Sequence, residues 1–225
     1  MFTLPIALYP KICYNIITRQ GQDTKLLPIS ALLPPIKIFK KVLTKSIKYD
    51  ILIIENKRKE VNKMITMVFD MDGTIANLYG VENWLPRLRA EDPTPYAVAE
   101  PLVDMQELNM LLTALKATGD FRISVVTWGS MDCSVEYTRE VKKVKKEWLN
   151  NYGFPFDEMH CIKYGTPKTK FINPTDELSI LWDDNKEICK DWNSKNKCLA
   201  LNPEGDNILT LLRMIVETRK EFGAE

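Results

Sequence analysis

Short apolar runs alternate with amphipathic stretches from residue 64 onward. The segments "MITMVFD" (64–70), "FRISVVTW" (121–128), "EMHCIKY" (158–164), "LSILWDD" (178–184) and "KCLALN" (197–202) have the length and apolar content of buried strands. Between the first two, "PLVDMQELNMLLTALKATGD" (101–120) predicts a helix with Leu108, Leu111, Leu112 and Leu115 on one face, closed by Gly119. "VEYTREVKKVKKEWLNNYG" (135–153) predicts another, with Tyr137, Val141, Val144 and Trp148 as the apolar stripe and the lysines on the solvated face. "NILTLLRMIVETRKEF" (207–222) predicts a closing helix. Strands spaced by helices predict an α/β chain, a three-layer α/β/α arrangement with a mostly parallel sheet. Ligands of such sheets sit beyond the carboxyl ends of the strands.

Residues 1–63 read differently. They mix prolines, lysines and isoleucines without a sustained period, and only "YDILIIE" (49–55) has strand character. They hold 12 of the 31 Lys and Arg but 4 of the 30 Asp and Glu, an excess of eight positive charges, and the rest of the chain carries an excess of seven negative ones. The expectation is a poorly defined basic extension ahead of a domain over 64–225, an extended reading frame or disordered tail before a start at Met64 or Met67 rather than a basic arm for nucleic acid or a membrane surface. The apolar first ten residues lack a basic leader and end at Lys11, short of the ~20 residues of a membrane span. No transmembrane helix and no secretory signal are expected, which leaves the cytoplasm as the default compartment. Cys13, Cys133, Cys161, Cys189 and Cys198 form no CxxC pair and are odd in number, so reduced, buried thiols are expected.

The predicted strand ends carry the chemistry. The first strand runs into Asp70, Met71, Asp72, Gly73 and Thr74, and the period of two puts Asp70 and Asp72 on the same side. Two such charges need a cation or a proton between them. The second strand ends near Thr127, with Gly129 and Ser130 behind it. Lys163 follows the third strand, and "YGTPKTK" adds Lys168 and Lys170. The fourth strand ends in Asp183 and Asp184, which could equally cap the helix that "DDNKEICKDW" predicts. His160, the single histidine, is expected to pack in a strand without a catalytic role.

Strand-DMDGT, strand-Thr, a lysine and strand-Asp-Asp, in this order over about residues 64–200, resemble the four signature motifs of the haloacid dehalogenase superfamily of phosphotransferases. The resemblance implies a Rossmann-like fold and a Mg²⁺-dependent phosphomonoesterase working through an aspartyl-phosphate. It implies Asp70 as nucleophile, Asp72 as general acid and base, Thr127 as a phosphoryl donor and a lysine as charge partner, with Lys168 favoured over Lys163 and Lys170. Gly73, with Thr74 and Gly129, is expected to bring backbone amides near phosphate oxygens. Mg²⁺ would take Asp70, the Asp72 backbone carbonyl and Asp184, with Asp183 beside it.

The same superfamily inserts a cap after its first strand, and here the insert, about 75–101, is short. Its Tyr79, Trp84 and Tyr96 with Arg87 and Arg89 suit a base plus a phosphate, although Trp84 and Leu85 could simply pack the insert onto the sheet. The substrate is expected to be a small phosphate, a nucleotide first. A nucleic-acid end, a metal-binding module without turnover, a phospho-accepting receiver and a DxD-type sugar-nucleotide transferase are the alternatives. The receiver fits less well, because its acidic pair precedes the acceptor strand.

Overall fold

In the computed structural model, residues 64–205 and 207–222 are described. The expectations for residues 1–63 lie outside these residues. Strand β1 (Ile65–Phe69) is buried along its whole length, as the centre of a parallel sheet requires. Strands β2 (Phe121–Trp128), β3 (Glu158–Ile162), β4 (Leu178–Trp182) and β5 (Cys198–Leu201) join it in the order β3-β2-β1-β4-β5, every neighbouring pair parallel. The helices, in chain order, are α1 (Trp84–Arg89), α2 (Thr94–Val98), α3 (Met105–Ala117), α4 (Val135–Asn151), α5 (Lys186–Asn193) and α6 (Ile208–Phe222). The fold is a three-layer, Rossmann-like α/β/α sandwich. None of the described helices is long and apolar enough to cross a membrane.

The period of two sends alternate side chains of each strand to opposite faces. On one face Val68, Val126 and Leu181 bury against Trp192 of α5. On the other, Phe69 stacks on its register partner Trp182 at 4.8 Å and takes Phe154 edge-on at 5.4 Å. Helix α3 packs on β2 and on α6. It begins at Met105, four residues later than its pattern predicts. The Asp104 carboxylate accepts from the amides of Gln106 and Glu107, and Pro101 is drawn into an antiparallel bridge with Ala76.

The insert contributes α1, α2 and a 3-10 turn over Leu78–Gly80. Leu78, Leu88 and Tyr96 bury against Tyr137 and Val141 of α4. Hydrogen bonds tie the same surfaces together. The Ser134 amide and hydroxyl donate to the Glu91 carboxylate at 2.6 Å each, the Tyr137 hydroxyl to the Asp92 carbonyl and the Trp148 indole to the Ala99 carbonyl.

Chain order places the site. From β1 the chain builds outward through β2 to β3, then returns past β1 to lay down β4 and β5 on the other side. The order therefore reverses between β1 and β4, which opens a crevice at their carboxyl ends. Phe69 pairs with Trp182, so the next residues, Asp70 and Asp183, emerge side by side.

Candidate active site

Asp70 and Asp183 are bridged by one ammonium. Lys168 Nζ lies 2.7 Å from Asp70 Oδ1 and 2.7 Å from Asp183 Oδ2. All three side chains are buried. Lys168 opens a 3-10 turn over Lys168–Phe171, whereas Lys163 and Lys170 are exposed. Burial alone would lower the Lys168 pKa, but Asp70 and Asp183 outweigh it and hold it above its ordinary value.

Asp184 completes the group: carboxylate oxygens of Asp70, Asp183 and Asp184 all lie within 4.8 Å of one another. The Thr74 hydroxyl accepts from the Asp184 amide at 3.1 Å, and Asn202 Nδ2 donates to the Asp184 carbonyl at 2.7 Å. Asp183 and Asp184 do not cap α5. Asn185 does so with its own side chain, and Asp183 Oδ1 accepts from the Asn185 amide while its Oδ2 accepts from Lys168 Nζ.

The crowding shows in the acid strengths. Burial, then the Asp70 charge, pushes Asp183 up to about 6 against the pull of Lys168. Burial, then Asp70 and Asp183, pushes Asp184 up to about 7. Three carboxylates against one ammonium leave two negative charges, which a divalent cation would match, and an all-oxygen set suits Mg²⁺. The donor set is of a kind that fits such an ion, which Asp70, Asp183 and Asp184 would hold.

The unfolded carboxyls titrate near 3.8, so between about 4 and 7 the folded chain binds protons that the unfolded chain has lost. The metal-free protein is then expected to lose stability as pH rises through this window. Mg²⁺ held by the same carboxylates would replace those protons, so its gain in melting temperature should be larger at pH 8 than at pH 5. Thermal melts with and without Mg²⁺ check this, and a gain that shrinks as pH rises would contradict it.

Asp72 belongs to a second, separate ion pair. Its Oδ2 accepts from Lys145 Nζ at 2.5 Å, and the same ammonium donates to Thr127 Oγ1 at 2.8 Å and to the Trp128 carbonyl at 2.7 Å. The amphipathic pattern of α4 predicts solvated lysines, and Lys145 departs from it with no exposed surface at all. Its position explains this: four residues after Val141 and three before Trp148, it lies on the buried stripe. That spacing was readable, but a lysine there looks like an interruption of the stripe until its partner is seen. Burial raises the Asp72 pKa, with the Lys145 charge opposing it.

The remaining expected residues divide. Thr127 is fully buried and its hydroxyl is taken up by Lys145, so it braces the lysine. Gly73 has φ +82°, and a Cβ there would lie 2.5 Å from Asp184 Oδ2 and 2.6 Å from the Tyr79 ring. Its amide donates to the Ala76 carbonyl, so the missing side chain serves close packing. The Gly129 amide likewise donates to Ile162 while the residue lines the crevice. Arg87 turns away and pairs with Asp92 at 2.7 Å. Arg89, two positions on and so on another side of α1, reaches the crevice instead. His160 is half-buried, its ring against Phe171.

Above Asp70 and Asp72 lies a cavity of about 450 Å³. Tyr79 and Trp84, with ring centroids 5.1 Å apart, line it from the insert, and Trp128 and Tyr164, 4.9 Å apart, line it from the sheet edge. Tyr96, Arg89, Glu91 and Asp132 also line it. No protein-family model and no curated protein matches the chain.

Proposed function

We propose that the chain is a Mg²⁺-dependent phosphomonoesterase of the haloacid dehalogenase type, acting on a nucleotide or another small phosphate. One observation carries this reading: Asp70, Asp183, Asp184 and Lys168 meet at the topological switch point, the residue types and chain order that the motif resemblance implies. Asp70 attacks phosphorus, an Oδ–P bond forms, and the bond from phosphorus to the leaving oxygen breaks. Asp72 gives the leaving oxygen a proton and then takes one from the water that cleaves the aspartyl-phosphate. Lys168 offsets the charge of Asp70 as the anionic phosphate approaches. Bound Mg²⁺ would neutralise phosphoryl oxygens and orient the substrate.

The cavity supports the substrate class. Its volume suits a small molecule. Two pairs of aromatic rings offer stacking to a planar base. Glu91 and Asp132 in its lining, within a domain of negative net charge, disfavour a nucleic-acid backbone.

The test is phosphate release by the full chain from 4-nitrophenyl phosphate and a panel of phosphorylated metabolites. Release is expected with Mg²⁺, highest on nucleoside monophosphates, and lost on chelation with EDTA. Release that persists in EDTA would refute the metal requirement. Mg²⁺ binding without turnover on any member would favour the silent metal-binding module.

A further inference from the structure

Lys145 has no proton to spare for a substrate. Its ammonium has three N–H groups, and Asp72 Oδ2, Thr127 Oγ1 and the Trp128 carbonyl take one each. The Tyr96 ring closes the fourth side, 4.6 Å from Nζ. A buried charge of this kind is costly, and an apolar residue would continue the stripe from Val141 to Trp148 without that cost. What the ammonium does have is a directional hold on one oxygen of Asp72. Oδ2 is occupied, whereas Oδ1 has no protein partner among the described residues and Asp72 lines the cavity. Oδ1 is therefore the oxygen of Asp72 left open to a molecule bound in the cavity.

We infer that Lys145 is a positioning residue: by holding Asp72 Oδ2 it presents Oδ1 to the leaving group, and so governs the steps that need proton transfer. The inference rests on the phosphatase reading and divides the work between two buried lysines. Lys168 serves the nucleophile and Lys145 the acid and base. In the first step the P–O bond breaks and its electron pair goes to the leaving oxygen, which takes the proton from Oδ1. In the second, water attacks phosphorus and passes a proton to Oδ1, the Asp70 carboxylate leaves, and Asp72 is restored.

The experiment compares leaving groups. Nitrophenolate departs without a proton, whereas an alkyl oxygen needs one. With Mg²⁺, Lys145→Met in the full chain is expected to lower turnover of glycerol phosphate about 10²–10³-fold, the range of general acid catalysis. On 4-nitrophenyl phosphate the same variant should give a burst of nitrophenolate close to the enzyme concentration, followed by slow phosphate release. Equal losses on both substrates without a burst, or no loss, would overturn the inference. A wild-type chain inactive on every phosphate would overturn the phosphatase reading itself, and this inference with it. Should Lys145→Met fail to fold, Asp72→Asn is compared with the double variant Asp72→Asn/Lys145→Met, which removes both members of the buried ion pair. Matching residual rates support action through Asp72, and a further loss in the double variant overturns it.

Discussion

Asp70→Asn is expected to lower Mg²⁺-dependent phosphate release by about four orders of magnitude or more, as loss of a covalent nucleophile does. The amide keeps the shape of the side chain and an oxygen that can accept from Lys168 Nζ, now 2.7 Å from Oδ1. It also removes one of three crowded negative charges. Activity and stability should therefore separate. The melting temperature should stay within about 4 °C of wild type, the shift that about 1 kcal/mol produces in a domain of this size. Phosphate assays and thermal melts on one preparation check both halves. Unchanged turnover would remove Asp70 from the chemistry, and a collapse of the fold would leave it a structural residue.

Lys168→Met is expected to have the opposite balance, with the larger effect on the fold. Methionine keeps the stem but removes the ammonium shared by Asp70 and Asp183, 6% and 1% exposed. Breaking a buried pair by deleting one partner costs about 3–5 kcal/mol, because the remaining charge stays out of water. Without metal, the melting temperature should fall by roughly 6–20 °C. Saturating Mg²⁺ should recover part of this, since the cation adds positive charge to the same carboxylates. Differential scanning calorimetry with and without Mg²⁺ is the measurement. A metal-free variant as stable as wild type would mean that the three side chains do not interact as a buried group.

Most of the sheet was legible because the central strands of a parallel sheet, buried on both faces, must be mainly apolar, as Met67, Val68 and Phe69 of β1, Ile123, Val125 and Val126 of β2 and Ile180, Leu181 and Trp182 of β4 are. Asp70 and the pair Asp183 and Asp184 were legible because Asp70 and Asp183 directly follow such runs. Lys168 was legible only through the motif order, since nothing local separates it from Lys163 and Lys170. Lys145 was missed for a physical reason: its partner Asp72 lies 73 positions away in sequence, and helix periodicity carries no information about a contact that the fold creates. Arg87 and Arg89 could not be told apart for a related reason. Both suit a phosphate by charge, and only the seating of α1, with Leu88 inward, decides which one faces the crevice. The start of α3 shows local chemistry overriding the apolar pattern, since Asp104 stops the helix that Leu102 and Val103 would otherwise have extended.

The position of β1 also bears on how the chain is made. Its two neighbours arrive at very different times, for Ile65 pairs with Phe121 on one side and with Leu178 on the other. During synthesis the apolar central strand leaves the ribosome long before β4 exists, so one of its edges waits without a partner while the intervening residues are translated. That interval is when a holdase chaperone would have most to shield. Arrested nascent chains should turn protease-resistant only after β4 has cleared the exit tunnel.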